Sequence, residues 1–299
     1  MGAMRRTHRA PASPLRRCWG LALLALLAPL QAPVALAQSQ TADLLMARSN
    51  QSLTGSRSRL PKDWQGLRTV PADVAILVMP GHADSQGFGS GASGAAVAVY
   101  GARPMDPSMT DELFWNLATV AAVVRLGQER GLNIRSYDPG VRSIANGSDP
   151  RTTWSVGKAH VQSGGYAMEI HYDAHGSAGV GSGLIPPIGT SPSQLDESLA
   201  AEFGAFPRWF RDGLGGPKRG IAILEIGKLE GQLEASLRNP ATRQATIDAI
   251  ALRVVTALER GRTQPDVPLD LAETVAKPPR TLVLPPLLSP PPAVVGSAP

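Results

Sequence analysis

Four side chains in this 299-residue sequence have the types and neighbours to do chemistry together. His82 follows Val78-Met-Pro-Gly, and His171 follows Tyr166-Ala-Met-Glu-Ile. Glu225 closes Ile221-Ala-Ile-Leu, and Glu112 follows Thr110-Asp111 at the head of a helix-like run. Two neutral imidazoles and one carboxylate are a standard ligand set for a catalytic zinc, with the fourth position open to water. Such a metal lowers the pKa of that water toward ~7. A carboxylate off the metal then takes the proton and delivers it to a leaving amine. In this reading His82, Glu112 and His171 hold Zn2+, and Glu225 is the catalytic base. A carboxylate ending so apolar a run is costly unless it faces a cleft or is paired.

Each residue also has a plainer reading. His82 could cap a turn after Pro-Gly, and His171 could be a hydrogen-bonded core histidine. Glu112 could only complement a helix dipole, with Asp111 as a direct rival. His175 is a candidate substrate contact, and Asp84 and Asp173 are candidate acceptors for metal-bound imidazoles. Glu169 lies two residues before His171 on the same strand face, so it is a spare ligand. His160 is expected on a solvated helix face, and Trp115, Trp154 and Trp209 are expected to pack. The chain lacks H-E-x-x-H, and His82-Ala-Asp-Ser85 lacks an H-x-x-E pair.

The elements that must position these residues are legible as runs. Strands are predicted over 74–79, 132–137, 166–172 and 220–225. A helix is predicted over 111–130, with Leu113, Leu117, Val120, Ala121 and Val124 on one face and Gly131 as its stop. Another is predicted over 241–260, with Ile247, Ile250, Ala251, Val254 and Leu258 inward and Gly261 as its stop. Weaker helices are expected over 152–162 and 195–212. Strands alternating with helices give an α/β fold, a single domain with a mainly parallel or mixed central sheet flanked by helices. In such sheets sites gather at the C-terminal strand ends, which is where His82, His171 and Glu225 fall.

Outside that body the composition changes. Residues 1–37 hold five Arg, no acid, the apolar run Trp19–Leu30 and Ala35-Leu-Ala37. This is the pattern of a secretory signal peptide. The run is shorter than the ~20 residues that span a bilayer, so no retained membrane span is expected. Residues 38–70 read as a linker, 71–262 as the catalytic domain, and 263–299, with ten Pro, as a disordered tail. The formal net charge of +5 also belongs to the leader, because without it acidic and basic residues are equal in number. No nucleic-acid partner is therefore expected. The one Cys, Cys18, leaves with the leader, so no disulfide is needed in an oxidising compartment.

Taken in order, these motifs resemble the zinc-dependent N-acetylmuramoyl-L-alanine amidases, bacterial cell-wall hydrolases. The resemblance rests on Met79-Pro80-Gly81-His82, Glu112 at a helix start, Glu169-Ile170-His171-Tyr172-Asp173-Ala174 and Ile223-Leu224-Glu225-Ile226-Gly227. It covers roughly 72–262. It implies zinc on His82, Glu112 and His171, catalysis by Glu225, a peptidoglycan or muropeptide substrate, and a periplasmic or extracellular location. This sequence departs from the family pattern in Ala-Asp after His82, in Glu169 and Tyr172 around His171, and in a Gly-rich insert over 85–109. The insert is expected to rim the cleft or act as a lid. Two alternatives stay open: another zinc peptidase or amidohydrolase on the same fold, and a non-catalytic cell-wall-binding protein.

Overall fold

Three strands are buried on both faces nearly throughout, and they form the centre of the sheet. In the computed structural model, which describes residues 53–263, strands β1 (Ile76–Pro80), β3 (Tyr166–Asp173) and β5 (Ala222–Lys228) run parallel through the centre. β2 (Ile134–Ser136) pairs parallel with β1, and β4 (Gly183–Ile185) pairs antiparallel with β5. The strand order is β2-β1-β3-β5-β4, a mixed sheet flanked by helices in one α/β domain.

Ile76 and Val78, Met168 and Ile170, and Ala222 and Leu224 face the layer formed by α2 (Asp111–Glu129), α4 (Gln194–Phe203) and α7 (Arg243–Thr263). Leu77, Met79 and Ala167 face α3 (Thr153–Gln162). Leu77 and Met79 are sealed from solvent, and each such burial contributes about 1.5–3 kcal/mol. Side chains alternate across a strand, so Glu169, His171, Ile223 and Glu225 continue the α3-side face toward the C-terminal strand ends. Three shorter helices complete the set: α1 (Ala95–Ala98), α5 (Gly215–Lys218) and α6 (Gly231–Arg238).

The predicted strands are present as β1, β2, β3 and β5, and β4 is additional. It is a three-residue edge strand between glycines and Pro186-Pro187, too short to show a period. The inward face of α2 is rotated from the apolar pattern: Ala121 is exposed, whereas Asn116 and Thr119 are buried. Both make a buried hydrogen bond there, Asn116 Nδ2 donating to the Gly81 carbonyl (3.0 Å) and Thr119 Oγ1 bonded to the Tyr172 hydroxyl (2.8 Å). Hydrophobicity alone cannot mark a core face that uses paired polar residues. The five inward residues expected in α7 are all buried.

Gly261 does not stop α7. The helix runs through it, and a Cβ there would lie 2.6 Å from the Gln194 carbonyl oxygen. This glycine lets α7 approach the start of α4. The helix expected over 195–212 ends at Phe203, because Gly204 turns left-handed with φ 103° and Ala205 bridges to β4. Residues 54–70, read as linker, have no regular strand or helix but lie against the domain. Trp64 is buried with its indole N–H donating to the Phe206 carbonyl (2.8 Å), and Gly66 N–H donates to Glu197 (2.7 Å). Among the described residues no helix is long and apolar enough to cross a membrane. The predicted signal peptide at 1–37, residues 38–52 of the linker and the tail beyond 263 lie outside the described residues.

Candidate metal site and cleft

Three separate pieces of local structure bring His82, Glu112 and His171 together. His82 sits in the turn that ends β1, in a left-handed conformation with φ 62°. Glu112 is the second residue of α2, whose N-cap Thr110 accepts from Leu113 N–H (3.3 Å). His171 lies near the end of β3, directly across from Glu225 on β5. The pairing of β3 and β5 shifts register between His171 and Asp173, the kind of irregularity that re-aims side chains beside sites.

Gly81 makes the approach possible. A Cβ on Gly81 would lie 2.2 Å from Cε1 and Nε2 of His171. With no side chain at 81, the His171 ring lies flat over the end of β1 and meets His82 edge-on, with centroids 4.7 Å apart.

The donors converge on Glu112. Its Oε1 lies 3.2 Å from His82 Nε2 and 3.1 Å from His171 Nδ1. All three ligand atoms lie within 4.8 Å of one another. A tetrahedral zinc with bonds of ~2.0–2.2 Å needs donors about 3.3–3.6 Å apart, so a small shift accommodates the ion. Two neutral imidazoles and a carboxylate are also the right donor chemistry. The site therefore fits a zinc-type metal on His82, Glu112 and His171.

Electrostatics agree. Burial works against ionising Glu112, but hydrogen bonds with His171 and His82 prevail and hold it at about 2. Burial works against charging His171, yet Glu112 and Glu169 prevail and hold it well above its ordinary value. Without metal, a proton thus sits where a cation would otherwise lie between these groups. Glu225 behaves oppositely: burial pushes it up to about 8, against the attraction of His171. Its Oε2 is shielded from solvent and has no hydrogen-bond partner. A buried orphan carboxylate oxygen is expensive, and beside such a trio it is placed to handle protons.

Other residues hold the ligands. His82 Nδ1 is bonded to Ser90 Oγ, and Glu112 Oε2 accepts from Ala92 N–H (2.7 Å). Gln86 donates to the carbonyls of His82 and Ser90 (3.1 Å each) and accepts from Thr110 N–H (2.8 Å). One amide thereby ties the His82 turn, the Gly-rich insert and the head of α2. The insert both rims the cleft and braces two ligands. The sequence pattern did not single out Gln86 or Ser90, because both work through the insert's irregular backbone.

Glu169 is buried, with Oε2 3.6 Å from His171 Nε2, a nitrogen that has no hydrogen-bond partner. Asp111, the rival of Glu112, is turned away into an ion pair with Arg238 and accepts from Met105 N–H (2.7 Å). Asp84 and Asp173 are not bonded to the imidazoles. Asp84 caps α3 by accepting from Thr153 N–H (2.8 Å), and Asp173 accepts from Val180 and Gly181 N–H (2.5 and 2.8 Å). His175 points to the Ser93 carbonyl (3.2 Å) and lines neither cleft described below. His160 is not solvated but buried, its Nε2 bonded to the Ala75 carbonyl (2.9 Å). Trp115 is core, Trp154 lines the cleft, and Trp209 is exposed.

Two clefts meet at the site. The larger, about 540 Å³, is lined by Phe88, Ile144, Trp154, Leu214 and Ile223 beside Glu169. The smaller, about 260 Å³, is lined by Gly91, Ala92, Asp173, Ala174 and Ala178 beside Glu112. His82, His171, Arg211 and Glu225 line both. The His82 side chain keeps 27% of its surface exposed, against 5% for Glu112, so the site opens on the His82 side.

No protein-family model matches the chain, and no curated protein matches it. Among solved structures it is similar to several domains. One is that of the N-acetylmuramoyl-L-alanine amidase CwlV from Bacillus (Paenibacillus) polymyxa var. colistinus, 14% identical over 62% of this chain and 96% of that one, with a TM-score of 0.42. Another is the catalytic domain of the CD27L endolysin targeting Clostridia difficile, 16% identical over 62% and 96%, with a TM-score of 0.42. A third is the CwlD amidase of Clostridioides difficile in complex with the GerS lipoprotein, 17% identical over 63% and 98%, with a TM-score of 0.39.

Proposed function

We propose that this chain is an exported zinc-dependent hydrolase that cleaves the amide between N-acetylmuramoyl and L-alanine in peptidoglycan. The observation that carries the hydrolase reading is the convergence of His82, Glu112 and His171 donors beside the unpartnered Glu225 Oε2, where two clefts meet. The substrate class rests on the order and wording of the four motifs around those residues. The cell-envelope address rests on the leader pattern of residues 1–37.

A zinc ion held by these ligands supplies a Lewis acid for the scissile carbonyl and an acidified water. The chain's residues do the rest. Glu225 accepts the proton of the attacking water at Oε2 and passes it to the leaving amine of L-alanine. Its raised pKa suits a group that must both take and return a proton. His171 and Glu225 sit on paired strands, so their separation is fixed by the sheet rather than by a loop. The larger cleft offers Trp154 and Phe88 as apolar walls for a sugar ring, and the smaller, beside Gly91, Ala92 and Ala174, offers room for the peptide.

The test is digestion of purified peptidoglycan with identification of the newly freed group. Free L-alanine amino termini on stem peptides are expected. Cleavage of other peptide bonds instead would favour a different zinc peptidase. Binding to sacculi with no turnover would favour a non-catalytic wall-binding protein.

A further inference from the structure

Among the described residues three non-glycine positions have positive φ: His82 at 62°, Arg211 at 52° and Asp212 at 59°. Left-handed backbone costs such residues roughly 1–2 kcal/mol each and persists only where the surroundings enforce it. His82 is a proposed metal ligand. The other two form the apex of the segment between α4 and β5, over the same site.

That segment is pinned from below. Phe206 is buried and packs edge-on against Phe210, with centroids 4.7 Å apart. Arg208 N–H donates to Asp63 (2.7 Å), and its Nη2 donates to the Ile188 and Thr190 carbonyls (3.1 and 3.2 Å). Asp212 and Gly213 N–H close the turn onto the Trp209 and Phe210 carbonyls (3.0 Å each). The strained pair is thus held in place, and it presents Arg211 to both clefts.

Arg211 is the one Lys or Arg that lines either cleft. Its guanidinium lies 4.9 Å from the Phe210 ring centroid, and Nη2 makes one long bond to the Ala178 carbonyl (3.4 Å). No carboxylate lies within ion-pair distance among the described residues, although Glu225 shares both clefts. A guanidinium offers five N–H donors in a planar fork matched to a carboxylate. Here nearly all of them are unspent at the mouth of the peptide-sized cleft.

We propose that Arg211 is an anion subsite that binds a carboxylate of the substrate's peptide on the leaving-group side of the scissile amide. This deepens the muramoyl-amide reading and rests on it. The ligand class is an acidic peptide, and stem peptides of peptidoglycan carry such a carboxylate one residue beyond L-alanine. The strained backbone aims the fork before substrate arrives, so binding does not have to order it.

The test uses the zinc-loaded Glu225→Gln protein, which binds substrate without consuming it. N-acetylmuramoyl-L-alanyl-D-glutamate γ-methylamide, whose one free carboxylate is the α-carboxylate of the D-glutamyl residue, and its α-carboxamide are titrated by calorimetry. The acid is expected to bind at least tenfold tighter than the carboxamide. Adding Arg211→Gln or Arg211→Gly is expected to erase that difference between acid and carboxamide. The glycine variant adopts φ 52° without strain, so its fold is secure. Equal binding of acid and carboxamide, or a preference that survives in both variants, overturns the subsite alone. Binding of neither peptide overturns the subsite and the muramoyl-amide reading together.

Discussion

Gly81→Ala tests the geometry most severely for the smallest chemical change. The added Cβ would sit 2.2 Å from two atoms of the His171 ring and 2.5 Å from a third. Ordinary contact begins near 3.4 Å, so the ring must move by roughly 1.2 Å. Metal bonds tolerate deviations of about 0.2 Å, and a misplacement of about 1 Å near the chemistry can cost about 100-fold in rate. The backbone at Gly81 is not left-handed, so alanine is conformationally allowed and the strain falls on the ring. Overpacking of this kind costs about 1–3 kcal/mol of stability. The assay is zinc stoichiometry after gel filtration, beside thermal unfolding and muropeptide hydrolysis. The variant is expected to fold, to lose most bound zinc, and to lose at least about 100-fold in activity. Gly165→Ala is the matched control, because its Cβ would meet the His160 ring at 2.3 Å, away from the site. That variant is expected to lose stability but keep zinc. Full zinc occupancy and activity in Gly81→Ala would refute the placement of His171.

Four further outcomes are expected. Glu225→Gln keeps zinc and loses hydrolysis, as metal analysis and product assay on one sample will show. Glu169→Gln weakens zinc binding about 10–100-fold in chelator competition, because it removes the carboxylate nearest His171 Nε2. Zinc affinity rises with pH through neutrality, since His171 is held protonated above its ordinary value and must lose that proton to bind metal; calorimetry in buffers of different ionisation enthalpy reads the released proton. Asp111→Asn lowers stability by about 1–3 kcal/mol through its pairing with Arg238, while zinc content stays unchanged, which separates it from its neighbour Glu112.

The sequence made the four principal residues legible because each ends or opens an element with a strong pattern. Apolar runs marked β1, β3 and β5, and a capped helix start marked Glu112. What it hid has physical causes. The inward face of α2 uses Asn116 and Thr119, paired polar residues that an apolar count assigns to solvent. Gly261 looked like a helix stop but provides close packing of α7 on α4. Asp84 and Asp173 looked like partners for the imidazoles, yet both accept from backbone N–H groups, Asp84 from the head of α3 and Asp173 from Gly181. Gln86, Ser90 and Arg211 act from irregular segments, where no periodicity announces which way a side chain points.

The central claim is that His82, Glu112 and His171 ligate one metal while Glu225 stays off it. A crystal structure of the zinc-loaded protein, with anomalous data at the zinc edge, tests it directly. The account predicts one peak ~2.0–2.2 Å from His82 Nε2, Glu112 Oε1 and His171 Nδ1, with Glu225 facing the open position. A peak ligated by Glu225 in place of Glu112, or no peak between these residues at full zinc loading, would contradict it.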